Sequence, residues 1–126
     1  MEKQHALQRL EQLQKKLYAI HYACSAMNLD ADTVAPKNTS EGRGVALGVL
    51  AGEEQQLMIC PETRALLDEL DRQKDELDLL HRREVEELRR RCDQLTRIPA
   101  EEYIAYSELV NKAGDVWHKA KEKDDF

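Results

Sequence analysis

The stretch LEQLQKKLYAIHYACSAM, residues 10–27, decides the fold class of this 126-residue chain. Its apolar side chains recur at alternating steps of three and four residues, which places them on one face of a helix. Glutamine, lysine and glutamate, which are good helix formers, occupy the other face. We therefore predict a first helix from about Glu2 to Met27, with a buried stripe formed by Leu10, Leu13, Leu17, Ile20, Cys24 and Met27.

The segment that follows, residues 28–39, breaks this rhythm and predicts a loop. Turn-forming side chains are frequent in it, and Pro36 disfavours a helical conformation at the residue before it. Asp30, Asp32 and Thr33 are short polar residues of the kind that cap helix ends, and we expect them to do so here. A calcium loop needs more oxygen ligands at fixed spacing than this segment offers.

A second helix is predicted from Ser40 or Thr39, either of which suits an N-cap, to about Ile59. Arg43 lies one turn into this helix and is the expected ion-pair partner of one of the loop acids. Three glycines recur every fourth residue, although each interior glycine costs ~1 kcal/mol relative to alanine. We expect this stripe to let another backbone approach closely; its members are Gly44, Gly48 and Gly52.

Three more helices are predicted before the end of the sequence. A short one begins at Pro61, a fourth runs from about Glu76 to Thr96 after a polar break at 73–75, and a fifth begins at Pro99. The fold class is therefore all-α, a bundle of about five helices, three long and two shorter, with antiparallel, hairpin-like packing in a single region, 1–126. The predicted stripes are Leu66, Leu67 and Leu70 in the third helix, Leu77, His81, Val85, Leu88, Cys92 and Leu95 in the fourth, and Tyr103, Tyr106, Val110, Ala113, Trp117 and Ala120 in the fifth.

Composition and charge exclude several classes of partner. A net charge of −6 argues against nucleic acid, because neutralising phosphates requires a basic face. No stretch approaches the roughly 20 consecutive apolar residues of a membrane span. Three cysteines at wide spacing form no disulfide framework, which favours a reducing cytoplasm.

Catalytic chemistry finds little support in the residues themselves. His21 and Cys24 are three apart on a helix, but no second pair of ligands follows, so a buried thiol beside a flanking histidine is the preferred interpretation. His81 lacks the His-Glu-x-x-His spacing that places two imidazoles on one helical face. His118 precedes Lys119 and is predicted to be a surface residue. No nucleophile motif or phosphate-binding loop occurs.

Two short motifs nevertheless resemble the carboxypeptidase Taq family of metallocarboxypeptidases. That family typically has a Trp-Asp-Gln-Glu-Thr-x-Met-Pro segment after its opening helix, an arginine in a Gly- and Ala-rich stretch, and a later Trp-x-x-Ala-(Arg/Lys)-x-x-x-Asp-Phe run. Leu29 and Ala35 replace the usual Trp and Met. The residues that match are Asp30, Thr33 and Pro36, with Asp32 conservatively replacing Glu, then Arg43, and finally Trp117, Ala120, Lys121, Asp125 and Phe126.

The resemblance implies a cytoplasmic, usually homodimeric peptidase that uses zinc or a similar divalent metal to remove C-terminal residues from peptides. The metal-binding His-Glu-x-x-His helix of that family lies far downstream of the matched region. These 126 residues would then supply N-terminal helices that line the substrate groove, with no catalytic residue, cofactor or metal ligand of their own. The last helix carries no Gly or Pro stop signal, so we expect the parent chain to continue. The alternative is a stand-alone helical interaction module that dimerises through its first and last helices.

Overall fold

A computed structural model describes residues 2–125 of the chain and contains α-helices, one short 3₁₀ turn and no strand within that range. The predicted all-α class with five helices is therefore confirmed. The helices are α1 (Lys3–Asp32), α2 (Ser40–Ile59), α3 (Pro61–Arg72), α4 (Leu79–Thr96) and α5 (Ala100–Glu122), with the 3₁₀ turn Lys74–Glu76 between α3 and α4.

Two helix boundaries differ from the predicted ones. Helix α1 continues to Asp32 instead of ending near Met27, because Pro36 restricts only the residue before it and leaves the earlier ones free to remain helical. Helix α4 begins at Leu79 instead of Glu76. Its N-cap is Asp78, whose carboxylate accepts the backbone N–H of His81 at 2.9 Å.

The chain divides into two compact units. The first unit consists of residues 2–18 and 54–99, and the second of residues 19–53 and 100–125. Helices α1 and α2 each contribute residues to both units.

The first unit contains a core of aliphatic side chains. The predicted stripes of α1, α3 and α4 supply most of it, and Leu70 and Met58 are 0% exposed. Two members of the α4 stripe, His81 and Leu88, are only half-buried. Burial of whole leucine side chains is the largest stabilising contribution available to such a unit. Its buried apolar residues are Ala6, Leu10, Leu13, Leu17, Met58, Leu66, Leu67, Leu70, Leu77, Val85, Cys92 and Leu95.

Buried polar side chains of the first unit occupy helix ends. Gln55 is 0% exposed, and its Nε2 donates to the carbonyls of Leu95 at 3.2 Å and Ile98 at 2.7 Å. The Oγ1 of Thr63 donates to the carbonyl of Leu57 at 2.7 Å. The Leu95 and Leu57 carbonyls lie in the last turns of α4 and α2, which leave them without helical partners, whereas Ile98 follows the end of α4.

The second unit is held together by the glycine stripe of α2. A Cβ at Gly48 would lie 2.9 Å from Glu108 Oε1 and 3.3 Å from Ile104 Cγ2, and one at Gly52 would lie 3.0 Å from Ile104 Cδ1. A Cβ at Gly44 would lie 3.0 Å from Asn111 Nδ2. The predicted close approach of another backbone is therefore not what these glycines meet, because the atoms nearest to them belong to side chains. The neighbouring atoms belong to side chains of α5, which runs antiparallel to α2 because the glycine numbers rise as the α5 numbers fall.

The stripe predicted for α5 does not form its packing face. Tyr106, Val110 and Trp117 are 64%, 51% and 52% exposed, whereas Ile104 and Asn111 face α2. The reason is that a row of glycines offers α2 little apolar surface for large side chains to cover, while it leaves space for an aliphatic residue and a polar one. The predicted burial of this stripe is wrong for these three residues.

Candidate functional site

The loop between α1 and α2 contains the first group of predicted site residues, and the end of α1 fixes its backbone. Thr33 Oγ1 donates to the carbonyl of Leu29 at 2.6 Å. The N–H groups of Val34 and Ala35 donate to the carbonyl of Asp30 at 3.1 and 2.8 Å. These bonds satisfy carbonyls of the last helical turn. The predicted capping role is confirmed for Thr33, whereas Asp30 takes part through its backbone carbonyl.

The second half of the loop turns the chain into α2. The carbonyl of Pro36 accepts the hydroxyl of Thr39 at 2.8 Å. Asn38 has φ 66°, in the left-handed region that asparagine tolerates better than most residues. Arg43 Nη1 donates to Thr39 Oγ1 at 3.3 Å, so the loop and the first turn of α2 are joined by side chains as well.

A polar link joins the start of α2 to the middle of α5. Asn111 Nδ2 donates to the carbonyl of Ser40 at 2.9 Å and lies 3.3 Å from its hydroxyl. Arg43 Nε donates to Asn111 Oδ1 at 3.2 Å. The predicted ion pair between Arg43 and a loop acid is therefore wrong. The Arg43 guanidinium instead donates to two neutral acceptors, Asn111 Oδ1 on α5 and Thr39 Oγ1 in the loop before α2.

A second link joins the end of α1 to α5. His118 Nε2 lies 2.7 Å from Asp32 Oδ1, although 86 residues separate the two in sequence. The predicted capping role is wrong for the Asp32 carboxylate, whereas His118 lies at the surface as predicted and has Asp32 as its partner. Their side chains are 59% and 38% exposed, so solvent weakens the attraction between them.

The second motif forms a local cluster beside this pair. The rings of Trp117 and His118 are 5.0 Å apart in a T-shaped arrangement, and Lys121 Nζ lies 5.0 Å from the Trp117 ring centroid. Such a distance permits a cation–π interaction. Asp32 and His118 therefore bring the two sequence motifs, which lie far apart in the chain, to one place in the second unit.

The remaining residues of the second motif lie at the C-terminal end of α5. The N–H of Asp125 donates to the carbonyl of Ala120 at 2.8 Å, and that of Asp124 donates to Lys121 at 3.2 Å. With Asp124 at φ 55°, this is the Schellman pattern that closes helices. The expectation that nothing terminates α5 is wrong, since Asp124 takes the position that glycine usually occupies. Phe126 lies outside the described residues.

The donor atoms of this chain do not fit a zinc site in the part that the structure describes. No group of three or more His, Cys, Asp or Glu side chains there is arranged to hold a metal ion. His21 is exposed and Cys24 half-buried on α1, and they belong to no such group. A zinc site needs at least three protein ligands, so we derive no catalytic step from these residues. The arrangement around Asp32, Arg43 and Asn111 is suited to holding helix ends in place.

Sequence reasoning missed Ser40 and Asn111 as partners and assigned no role to His118. A signal was present, because Ile104, Glu108 and Asn111 are spaced by four and three residues and so share one helical face, as do the glycines of α2 at steps of four. Pairing the α2 glycines in order of rising residue number with the α5 residues in order of falling residue number would have predicted the antiparallel α2–α5 contact.

None of the helices, within residues 2–125, combines the length and the apolar character needed to cross a membrane. The three cysteines, Cys24, Cys60 and Cys92, form no disulfide bond with one another.

The geometry can now be compared with known proteins. Carboxypeptidase 1 of Bacillus subtilis (strain 168) is 33% identical over 108 residues, which make up 84% of this chain and 22% of that relative. A solved structure described as the BsuCP crystal structure matches with a TM-score of 0.91 and 30% identity, over 97% of this chain and 24% of its own. The chain thus spans less than a quarter of the length of these relatives.

The family profile described as Carboxypeptidase Taq (M32) metallopeptidase matches residues 9–126, nearly the whole sequence. The profile covers both motifs, from the loop after α1 to the end of α5. The chain therefore belongs to the carboxypeptidase Taq (M32) family of metallopeptidases.

Proposed function

We propose that residues 1–126 are the N-terminal helical region of a longer M32 metallocarboxypeptidase and line its substrate groove. One observation supports this most strongly: the chain matches the family over nearly all of its own length but only 22–24% of its relatives. A protein of this family would therefore need further chain to complete the enzyme.

In this proposal the 126 residues have a structural role and the chemistry lies elsewhere in the parent. Residues outside this region would hold zinc or a similar divalent ion, which would supply activation of water for cleavage of the C-terminal residue of a peptide. The parent is cytoplasmic, which cysteines without disulfide bonds favour, and assembles as a homodimer. The motif residues position helices beside the groove: Asp30, Asp32, Thr33, Pro36, Arg43, Trp117, Ala120, Asp125 and Phe126.

The test begins with the source gene. We expect its reading frame to continue beyond the codon for Phe126 and to encode a His-Glu-x-x-His segment. The purified full-length product should release C-terminal amino acids from peptides, and a chelator should abolish this activity. The 126-residue chain alone should show no metal-dependent release above a metal-free control. Activity of the short chain would contradict the proposal, as would an inactive full-length product that binds no divalent metal.

The second candidate is a stand-alone helical module that dimerises. The exposed row of Tyr106, Val110 and Trp117 on α5 is the observation that favours it. Sedimentation equilibrium distinguishes the two candidates. A concentration-independent monomer would exclude the dimer, whereas a stable dimer together with a stop codon after Phe126 would favour it over the peptidase.

A further inference from the structure

Helix α5 presents a continuous apolar row to solvent. We name this row the α5 outer stripe; its members are linked by steps of three, four or seven residues, so they share one helical face. The stripe consists of Tyr106, Leu109, Val110, Val116 and Trp117, which are 64%, 61%, 51%, 58% and 52% exposed.

The opposite face of the same helix is already occupied within the second unit. Ile104, Glu108 and Asn111 approach the glycines of α2, and Asn111 is hydrogen-bonded to Ser40. Helix α5 therefore has two faces suited to packing, only one of which is covered by this unit. A helix that is apolar on a second side belongs in the interior of a larger helical assembly.

Single exposed apolar residues are common on protein surfaces, but contiguous rows that include Trp and Tyr are not. The stripe is also unlike the rest of α5, where Asp115 forms an ion pair with Lys119 at 3.0 Å and Lys121 lies over Trp117. Charged side chains thus border an apolar centre, which is the usual pattern of a protein interface.

We propose that the α5 outer stripe docks against the part of the parent metallopeptidase that lies outside residues 1–126. This inference rests on the proposed function. The occupant follows from the comparisons: the fold described here recurs with a TM-score of 0.91 inside a protein of which it covers only 24%. The remaining chain of such a protein is large enough to cover the stripe, and it is covalently attached, so its effective concentration is high.

The first experiment compares side-chain accessibility in two proteins, the 126-residue chain and the full-length product of its gene. Hydroxyl-radical labelling should modify Tyr106 and Trp117 readily in the short chain and several-fold less in the full-length protein. Met58, which is 0% exposed, provides the baseline for a buried side chain. Equal labelling of Tyr106 and Trp117 in both proteins would overturn the inference.

A matched pair of variants tests the same point by stability. Val110→Asp places a charge on the stripe, and Val49→Asp makes the same change at a helical valine that is 59% exposed on α2. Valine and aspartate have similar helix propensities, so both variants of the short chain should unfold close to wild type. In the full-length protein Val110→Asp should lower the melting temperature or the soluble yield strongly, and Val49→Asp should not. Equal effects of the two substitutions would overturn the assignment of the stripe.

Other occupants give different results. A concentration-dependent dimer of the short chain that Val110→Asp converts to monomer would assign the stripe to a second copy. Protection of Trp117 that appears only after a peptide is added would assign it to bound substrate. Either result overturns the inference. A full-length protein with a protected stripe but no peptidase activity would instead refute only the proposed function, and an active enzyme with an unprotected stripe would refute only the docking.

Discussion

The two units of this chain are stabilised in contrasting ways. In the first unit, leucines such as Leu10, Leu67 and Leu70 are almost completely withdrawn from water. In the second unit, Leu47 is the one buried hydrophobic side chain among the described residues, and Gly48 and Gly52 lie against side chains of α5. One unit buries large side chains, and the other brings helices together where side chains are missing.

The contrast indicates where each unit obtains its stability. Burial of a leucine contributes on the order of 2 kcal/mol, so the first unit has the larger hydrophobic contribution. The second unit depends on close contact across α2 and α5 and on polar links such as Asn111–Ser40 and Asp32–His118. It also leaves the α5 outer stripe exposed to solvent, so the free energy of burying these apolar side chains is not gained within this unit. The first unit is built around buried leucines, and the second around a helix contact at glycines.

The largest expected effect is at Leu70, at the centre of the first unit. Leu70→Ala removes a side chain that is 0% exposed and should destabilise the protein by about 2–5 kcal/mol, through lost burial and the cavity left behind. Both variants are made in the 126-residue chain, where the matched control, Leu109→Ala, shortens a leucine that is 61% exposed in the second unit. Urea unfolding monitored by circular dichroism measures both. A similar loss for the two variants would remove the contrast between the units.

The second prediction concerns the glycine contact. Gly48→Leu introduces a side chain where even a Cβ would lie 2.9 Å from Glu108 and 3.3 Å from Ile104, and it should cost about 1–3 kcal/mol. Gly114→Leu is the control, since nothing lies within 4 Å of its Cβ position on α5. That variant should gain up to about 1 kcal/mol of helix propensity. Amide hydrogen exchange should show lost protection in α5 for Gly48→Leu alone, and loss in both variants would contradict the explanation.

The same contrast determines how much could be predicted from sequence. Stripes in the first unit, such as Leu66, Leu67 and Leu70, were predicted correctly because helical periodicity reports burial directly when large side chains form the core. Periodicity failed for α5, where Tyr106, Val110 and Trp117 have the pattern of a core and are exposed. The hydrophobic pattern of a helix does not identify the surface that covers its apolar face. An apolar stripe that is exposed within its unit therefore has the same sequence pattern as one that is buried within it.

The candidate site was predicted less completely than the fold. The loop residues and the second motif were found, but their partners Asn111 and His118 were not, because hydrogen bonds across 71 and 86 residues leave no local pattern. Arg43 was assigned to the nearest acids on the basis of charge. In the structure the Arg43 side chain has a different partner, because its Nε donates to Asn111 Oδ1 at 3.2 Å.

The third prediction tests the polar link of the second unit. Asn111→Ala removes two donor contacts to Ser40 and the acceptor for Arg43, and we expect a loss of about 1 kcal/mol, typical of a partly exposed hydrogen-bond network. Lys112→Ala changes the neighbouring exposed residue and should have almost no effect. Thermal unfolding of both variants provides the measurement. If they cannot be distinguished, the Asn111 link contributes nothing and the second unit depends on its glycine contacts alone.

The smallest expected effect is a pH dependence in the first unit, at the N-cap of α4. The backbone N–H of His81, and then its imidazole, hold the pKa of the Asp78 carboxyl below its ordinary value. A carboxyl with a lowered pKa in the folded state stabilises the protein fully above its unfolded pKa of about 3.9, and this contribution disappears as the pH falls through the lower folded value.

Asp78→Ala should therefore lower the melting temperature by a small amount above about pH 5, and the difference from wild type should shrink as the pH falls through the lowered pKa of the wild-type carboxyl. Asp75→Ala, three residues earlier in the 3₁₀ turn, is the control and should show no such closing difference. A gap that stays equally wide at low pH would mean that Asp78 acts through something other than its charge. The cap would then resemble the neutral Asn111–Ser40 contact of the second unit.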